Sequence, residues 1–491
     1  MKINNIWLVA LVFIGLTACD SEEHLLAYPL EEADTSQTPV GNFTSGTADF
    51  SSFVALGNSL TAGYSDGALF AKGQEVSFPN ILAQRFALAG GGPFTQPLMS
   101  DDVGGLLIGG APLYGPRLIF DAVNQSPIPA SGSPSTDITN VNPGPYNNMG
   151  VPGAKSYHLL APGYGDAGNL PSAANPYFVR MASDANASVL DDAMGLNPTF
   201  FSLWIGNNDV LGYATSGGDG TNPITGQALF DGAMDALVAT LTSNDANGII
   251  SNIPSVTDAP FFTTVPHNPI PLDEATAGFL NSAAAYGAYN AGLLQVEGLG
   301  FITSDERAAR TVTFAAGAGN AVVIIDESLT DLTGINPALV NMRQATADDL
   351  IILPASSFIG TEAVPGNPAT VNGVAIPLAD KWVLIPSEQT EISDATTAFN
   401  QKIGDLATQF DLALFDVNTF FNEVATSGFQ AGSAFMTADY VTGGTFSLDG
   451  VHPSPRGYAV VANQMIDIIN AKYGATIPKV NPVDYTGVYL D

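Results

Sequence analysis

The sequence has few cations, few histidines and a single cysteine. Its 491 residues contain 14 Lys and Arg against 47 Asp and Glu, for a formal net charge of −33. So few cations cannot neutralise a phosphate backbone, which argues against a nucleic-acid partner. Attraction to an anionic membrane surface through charge is disfavoured for the same reason. A single cysteine also excludes a disulfide framework within the chain.

Apolar residues, by contrast, are plentiful. They make up 46% of the chain, alongside 51 Gly and 33 Pro. This is enough material for a large packed core, so wholesale disorder is excluded. Length alone would suggest roughly three domains of about 150 residues, but the pattern along the chain favours a different division.

The N-terminus is typical of a secretory signal. Lys2 precedes an apolar run over residues 6–16, which is too short for the roughly 20 residues that a membrane span needs. The sequence Leu16-Thr17-Ala18-Cys19 resembles a bacterial lipobox, which implies cleavage before Cys19 and lipidation of its thiol. The alternative is an ordinary signal peptide with a chance cysteine. We expect the chain to be secreted across the inner membrane and lipid-anchored to a bacterial membrane, most simply on the periplasmic or cell-surface side of the outer membrane.

The rest of the chain divides into a polar tether, one main domain and a short tail. We predict a signal peptide over residues 1–18, a flexible tether over 19–49, the main domain over 50–474 and a tail over 475–491. No run after the signal is long and apolar enough to suggest a membrane span. Over residues 275–380 the sequence pattern changes to an Ala-rich segment followed by short strand-like segments, and we expect an inserted cap subdomain there.

Short apolar strands alternate with helices through the main domain, which predicts a parallel sheet covered on both faces. We predict strands over 52–57, 199–205, 260–265 and 412–417, and helices over 77–89, 227–242, 392–410 and up to Tyr473. Residues 90–145 are rich in Gly, Pro, Ser and Asn and predict long irregular loops. Within the insert we expect a helix over 275–294 and strands near 311–314, 321–325, 350–353 and 382–385.

The first polar cluster, Gly57-Asn58-Ser59-Leu60, follows a predicted strand. Gly lets the chain turn sharply, so Ser59 can project at the edge of the sheet as a nucleophile. A serine in this place is also common as a simple turn or helix-cap residue.

The second cluster, Gly206-Asn207-Asn208-Asp209, follows the strand that contains Trp204. An asparagine amide at this edge can donate a hydrogen bond to a developing oxyanion. The same four residues also suit a simple turn. Asp209 is interpreted as an anchor for this loop.

The third cluster is Asp449-Gly450-Val451-His452-Pro453. Asp449 can orient one ring nitrogen of His452, leaving the other nitrogen as a general base. Alternatively, the pair could form a structural hydrogen bond or half of a metal site. Nothing nearby supplies the further His or Cys of a zinc site, so no metal is predicted.

Together, and in this order, the clusters resemble the GDSL family of lipases and esterases, also called SGNH hydrolases, with the remaining family block matched by Asn148-Met149-Gly150-Val151-Pro152-Gly153-Ala154. The resemblance implies a three-layer α/β/α, flavodoxin-like fold with a central parallel sheet, long loops and an inserted cap. It implies that Ser59 is the nucleophile, His452 the general base and Asp449 the residue that orients it. The oxyanion hole would be formed by the backbone N–H groups of Ser59 and Gly153 and the amide of Asn208. The chain departs from the family at Asn58, where the family name has Asp.

The predicted activity is therefore that of a serine ester hydrolase that needs no cofactor. Its substrate would be a small-molecule ester, a lipid ester or an acylated glycan, with contact to the membrane through Cys19. We expect a monomer. The alternatives are a non-catalytic surface protein that binds lipid or glycan on the same fold, and a plain structural lipoprotein. His158 is interpreted as structural, whereas His267 is either structural or part of the substrate cleft.

Overall fold

The computed structural model describes residues 41–490. Cys19, the predicted signal peptide and most of the predicted tether therefore lie outside the described residues. Within residues 41–490, no helix combines the length and the apolar character needed to cross a bilayer.

A five-stranded parallel sheet forms the centre of the structure. Its strands in chain order are β1 (Phe53–Gly57), β2 (Asn148–Gly150), β3 (Phe200–Trp204), β4 (Asn247–Ser251) and β5 (Ala413–Phe415). Their order across the sheet is β2-β1-β3-β4-β5, and every neighbouring pair is parallel. This is the flavodoxin-like order, so the prediction of that fold is confirmed.

Both faces of the sheet are buried, which explains why its strands are apolar at successive positions. In β1, Val54 and Leu56 belong to one hydrophobic core, whereas Phe53 and Ala55 belong to the core on the opposite face. Strand β3 alternates in the same way. The sheet is therefore the middle of three layers.

Helices form the two outer layers. In the described chain they are α1 (Ser59–Ala62), α2 (Ala71–Glu75), α3 (Phe78–Ala87), α4 (Pro176–Val179), α5 (Val189–Met194), α6 (Asn207–Thr215), α7 (Gln227–Leu241), α8 (Pro260–Thr263), α9 (Glu274–Leu280), α10 (Tyr286–Gly298), α11 (Ser304–Arg310), α12 (Pro386–Gln409), α13 (Val417–Thr426) and α14 (Pro455–Tyr473). Helices α7 and α12 pack on the face of Val54, and α3, α13 and α14 pack on the face of Phe53. Helix α14 ends at Gly474, whose left-handed φ of 65° forms the C-cap, as the sequence predicts.

One predicted strand is wrong. Residues 260–263 form helix α8, which begins with Pro260, a position where proline fits because its missing N–H would be unpaired anyway. The fourth strand of the sheet is instead β4. The strand begins with Asn247-Gly248, a pair that is typical of a turn, and for this reason the sequence did not indicate a strand here.

Small antiparallel hairpins occur where irregular loops are predicted. In the region 90–145, Leu106–Ile108 pairs with Ala111–Tyr114, and Leu118–Asp121 pairs with Ser126–Pro129. A further pair, Phe429–Ala431 with Ala434–Met436, precedes α14. The prediction of wholly irregular structure over 90–145 is therefore wrong in part.

The insert contains three short antiparallel pairs and several helices. The pairs are Ile270–Leu272 with Gly317–Asn320, Val323–Ile325 with Met342–Gln344, and Leu350–Ile351 with Val383–Leu384. The predicted helix over 275–294 is two helices, α9 and α10, and the predicted strand at 311–314 does not form. Apolar side chains of the insert, such as Leu293 and Val323, share one core with the Val54 face of the sheet.

Candidate active site

The candidate site lies at the carboxyl ends of β1 and β3, where the order of the strands reverses. In parallel sheets, a crevice forms at this switch point because the following connections leave toward opposite faces. Ser59 follows β1 as the first residue of α1, and Asn208 follows β3 in the first turn of α6. The topology therefore brings two of the predicted clusters to one edge.

The turn into α1 fixes Ser59. The side chain of Asn58 caps the helix, with its Oδ1 accepting the N–H of Leu60 at 3.0 Å. Gly57 is required before it, because a Cβ there would lie 2.3 Å from the carbonyl oxygen of Trp204. Ser59 is only 8% exposed. Asn58, the residue that departs from the GDSL pattern, is the N-cap of α1.

Ser59, His452 and Asp449 form a continuous chain of polar contacts. Ser59 Oγ lies 2.8 Å from His452 Nε2, and His452 Nδ1 lies 2.9 Å from Asp449 Oδ2. With the proton on Nδ1, the ring donates to Asp449 and its Nε2 can accept the hydroxyl proton of Ser59. The loop that carries Asp449 and His452 lies just before α14.

Several donors hold the Asp449 carboxylate in place. Its Oδ1 accepts the N–H groups of Val451 and His452, each at 2.8 Å, and its Oδ2 accepts the N–H of Gly67 at 2.9 Å. Burial acts to raise the pKa of Asp449, but the His452 ring and the N–H groups of His452 and Val451 outweigh it and lower the pKa to about 2. Asp449 therefore remains an anion that can stabilise a charged His452.

Three donors are available for an oxyanion. The N–H groups of Ser59 and Gly153 have no hydrogen-bond acceptor among residues 41–490. Asn208 uses one N–H of its amide to donate to the carbonyl oxygen of Ala154 at 2.9 Å, which leaves the second N–H. The segment before Gly153 is fixed beside β1, because the N–H of Val151 donates to the carbonyl oxygen of Gly57 at 3.0 Å.

Asp209 ties the Asn208 turn to the Gly153 segment, as the sequence suggested. Its two carboxylate oxygens accept the N–H and the hydroxyl of Ser156, each at 2.8 Å. Burial raises the pKa of Asp209, while the Ser156 hydrogen bonds oppose that shift. Asp209 thus orients the backbone around the site and does not itself line the cleft.

A largely apolar cleft opens beside Ser59. The space inside it, including the part open to solvent, is about 600 Å³, and its apolar walls come from both layers of helices and from the loops between them. The polar residues that line it are Ser59, Asn208 and His452 together with Asn58, Asn207, Ser255 and Asp258. The apolar side chains that line it are Leu60, Trp204, Leu211, Val256, Ala259, Phe421, Phe446 and Val451.

Sequence reasoning missed Asp66 and Gly67, which support the Asp449 loop. Asp66 Oδ1 accepts the N–H of Leu448, and the N–H of Asp66 donates to Ser447 Oγ, each at 2.9 Å. Asp66 is buried and has a left-handed φ of 53°. Burial and the nearby Asp449 raise its pKa to about 7, although the N–H of Leu448 opposes the shift. Arg117 lies 3.9 Å from its second oxygen, Oδ2.

The sequence held only a weak signal for this second carboxyl. The run Ser65-Asp66-Gly67 suits an ordinary turn. Its partners at 447–449 are more than 380 residues away along the chain.

His158 and His267 do not line the cleft. His158 Nδ1 accepts the N–H of Lys155 at 3.1 Å, and its ring stacks on Tyr164. Burial, with a smaller contribution from Lys155, lowers the pKa of His158 to about 4, in keeping with a structural role. The backbone carbonyl of His267 accepts the N–H of Val322 in the insert.

Comparison with known proteins adds little to this geometry. No family model matches the sequence, and no curated protein matches it either. Among solved structures, the chain is similar to an extracellular lipase from Streptomyces rimosus, with 11% identity and a TM-score of 0.30, over 85% of this chain and 98% of that one.

Proposed function

We propose that the chain hydrolyses carboxylic esters with Ser59 as the nucleophile. The observation that carries the proposal is the chain of contacts from Ser59 Oγ to His452 Nε2 at 2.8 Å and from His452 Nδ1 to Asp449 Oδ2 at 2.9 Å. This constellation acts by its geometry in unrelated folds. Its position beside an apolar cleft suits an acyl group.

In the first half of the reaction, His452 removes the proton of Ser59 as Oγ attacks the ester carbonyl. Asp449 stabilises the resulting imidazolium and keeps Nδ1 protonated. The tetrahedral oxyanion would accept hydrogen bonds from the N–H groups of Ser59 and Gly153 and from the Asn208 amide. Removal of one such donor typically costs about 2.7–4 kcal/mol of transition-state stabilisation.

In the second half, His452 gives its proton to the leaving alcohol, which departs and leaves Ser59 acylated. The same ring then removes a proton from water as the water attacks the acyl carbonyl. Collapse of the second tetrahedral intermediate returns the proton to Ser59 Oγ and releases the acid. Every proton in this cycle is moved by residues of this chain, and no cofactor takes part.

The apolar lining of the cleft indicates that the substrate has an apolar acyl group. Apolar walls such as Leu211, Val256 and Phe446 suit a small-molecule or lipid acyl chain, while an acetyl group on a glycan would use only the part next to Ser59. The alternative is a surface protein that binds such a molecule without cleaving it. The complete Ser59–His452–Asp449 arrangement favours the enzyme.

The test is turnover of p-nitrophenyl acetate and p-nitrophenyl butyrate by the wild type and by Ser59→Ala. We expect the variant to fall to the background rate, while Ser243→Ala, the same change at an exposed serine outside the cleft, keeps wild-type activity. Equal rates for Ser59→Ala and the wild type would sink the proposal.

We further propose that the enzyme acts as a monomer on a bacterial membrane, anchored through a lipid on Cys19. The Leu16-Thr17-Ala18-Cys19 motif supports this location. Cys19→Ser should move the protein from the membrane fraction to the soluble fraction of expressing cells, as followed by immunoblot. Unchanged membrane association in that variant would count against the anchor.

A further inference from the structure

Three carboxyl groups from separate parts of the chain meet beside the insert. Glu327 follows the strand Val323–Ile325, Asp380 begins a short turn of 3-10 helix, and Glu388 lies in the first turn of α12. Carboxylate oxygens of the three residues all lie within 4.8 Å of one another. None of the three lines the cleft beside Ser59, so this cluster is independent of the proposed ester hydrolysis.

Glu388 is the critical member because it is buried with an unpartnered oxygen. The residue is 3% exposed. Its Oε2 accepts the N–H of Ile385 at 2.8 Å, but its Oε1 has no hydrogen-bond partner among residues 41–490. The Glu327 carboxyl lies within hydrogen-bonding reach of both Glu388 and Asp380. Ionised carboxylates are acceptors only, so the three groups can satisfy one another only if they share protons or bind a cation.

No ion pair within residues 41–490 balances this charge. None of the ion pairs within residues 41–490 includes Glu327, Asp380 or Glu388. Arg343 forms its ion pairs with Asp326 at 2.5 Å and with Asp349 at 2.6 Å, and not with the three carboxyl groups.

The remaining neighbours do not neutralise the cluster either. The Lys381 ammonium lies over the Trp382 ring, 5.0 Å from its centroid, and Asp219 adds further negative charge. Tyr213, which faces the cluster from α6, donates its hydroxyl proton to Glu391 at 3.0 Å.

We propose that Glu327, Asp380 and Glu388 form a binding site for Ca²⁺. Calcium binds oxygen ligands at about 2.3–2.6 Å, so ligands on opposite sides of the ion are separated by about 4.6–5.2 Å. The carboxylate oxygens lie within 4.8 Å of one another, which is inside that span. Magnesium is usually held by one or two carboxylates together with several waters, so a group of three carboxylates favours calcium. Water and backbone carbonyl oxygens would complete the 6–8 ligands that calcium takes.

The position of the site indicates what the ion does. Glu327 and Asp380 belong to the insert, whereas Glu388 belongs to α12, which packs on α6 and α7. The loop after α6 also lies close to the site. A Cβ on Gly218, in this loop, would lie 2.0 Å from Glu388 Oε1. A bound ion therefore fastens the insert to the helical layer that carries Asn208, and its main effect is on stability.

Titration of the full chain with CaCl₂ tests the site by calorimetry and thermal unfolding. We expect one saturable site in the wild type and a Tm that rises with Ca²⁺ by several degrees more than with NaCl of equal ionic strength. Glu388→Gln and Asp380→Asn should lose most of this rise. Asp394→Asn, the same loss of one charge at an exposed position of α12, should retain it.

Two outcomes would overturn the proposed Ca²⁺ site. The absence of saturable Ca²⁺ binding in the wild type would mean that the carboxyl groups share protons instead. An equal rise in Tm for Glu388→Gln and the wild type would mean that Ca²⁺ only screens the acidic surface. If Glu388→Gln does not fold, the exposed Glu327→Gln replaces it, with the same losses expected.

Discussion

At the scale of single residues, the sequence indicated the candidate site residues that lie in short motifs, but not the residues that support them through contacts between distant parts of the chain. Ser59, Asn208 and His452 each follow an apolar strand or precede a helix, and each lies in a cluster of suitable residue types. Asp66 supports the Asp449 loop through Ser447 and Leu448, and no local pattern connects residues that far apart in the chain. The sequence therefore indicated Ser59, His452 and Asp449, which the structure brings into contact, but it did not indicate the residues that support them.

The Asp66 carboxyl predicts a specific dependence of stability on pH. Its pKa rises from 3.8 to about 7 on folding, so its contribution to stability is full below pH 3.8 and is lost as the pH rises through about 7. Asp66→Asn removes this loss and can keep the oxygen that accepts the N–H of Leu448. We expect the variant and the wild type to have similar unfolding free energies near pH 4. At pH 8.5, we expect the variant to be more stable.

Urea unfolding at these two pH values measures the effect. At about 1.4 kcal/mol per pKa unit, the gain of Asp66→Asn over the wild type at pH 8.5 should be a few kcal/mol. A difference that does not change between pH 4 and pH 8.5 would contradict the assignment of a buried, neutral carboxyl at this position.

At the scale of elements, segments with a clear apolar pattern were predictable and segments with a mixed pattern were not. Strands β1 and β3 and helix α14 form where their patterns place them. Strand β4 has the same length as β1 and β3 but begins with a turn-like pair, while α8 contains two aromatic residues that are typical of strands. In both cases, tertiary packing overrides the local preference of a few residues. The pairing partners of the short insert strands also depend on contacts that a sequence does not display.

Close packing between elements makes Gly150 sensitive to substitution. A Cβ at Gly150 in β2 would lie 2.2 Å from the backbone nitrogen of Ala62 at the end of α1, the helix that begins with Ser59. Gly150→Ala should therefore destabilise the protein by roughly 1–3 kcal/mol and lower esterase activity by displacing α1.

Gly232→Ala is the matched control. Gly232 lies in α7 with no atom within 4 Å of an added Cβ, so the change should stabilise the protein by about 0.5–1 kcal/mol. Chemical denaturation of both variants compares them directly. If Gly150→Ala is as stable as Gly232→Ala, the close approach of β2 and α1 is wrong.

At the scale of the whole molecule, the acidity and the insert are the features that the catalytic chemistry does not require. The three-layer architecture follows from apolar strands alternating with helices, and it was predicted. The place of the insert was not, because its side chains share a core with one face of the sheet. Three of the 47 acidic residues find a role in the proposed Ca²⁺ site, while most of the remaining charge lies dispersed along the chain.

A net charge of −33 predicts a strong influence of salt. Added salt shortens the distance over which charges interact, to a Debye length of about 10 Å at 0.1 M, and so weakens the repulsion between acidic residues. The Tm should therefore rise as NaCl increases from 20 to 500 mM.

The same screening should lower the KM for an anionic ester such as mono-p-nitrophenyl succinate, since Asp258 lines the cleft. The neutral p-nitrophenyl butyrate should show little change. Equal salt dependence of both KM values would contradict repulsion by the protein.

The central claim is that Ser59 is a nucleophile activated by His452. Labelling with a fluorophosphonate, followed by mass spectrometry of the peptides, tests it most directly because the reagent forms a covalent bond with an activated serine. We expect a single adduct on Ser59, which is absent in Ser59→Ala and forms much more slowly in His452→Ala. An unlabelled wild type, or an adduct on another serine that persists in Ser59→Ala, would contradict it.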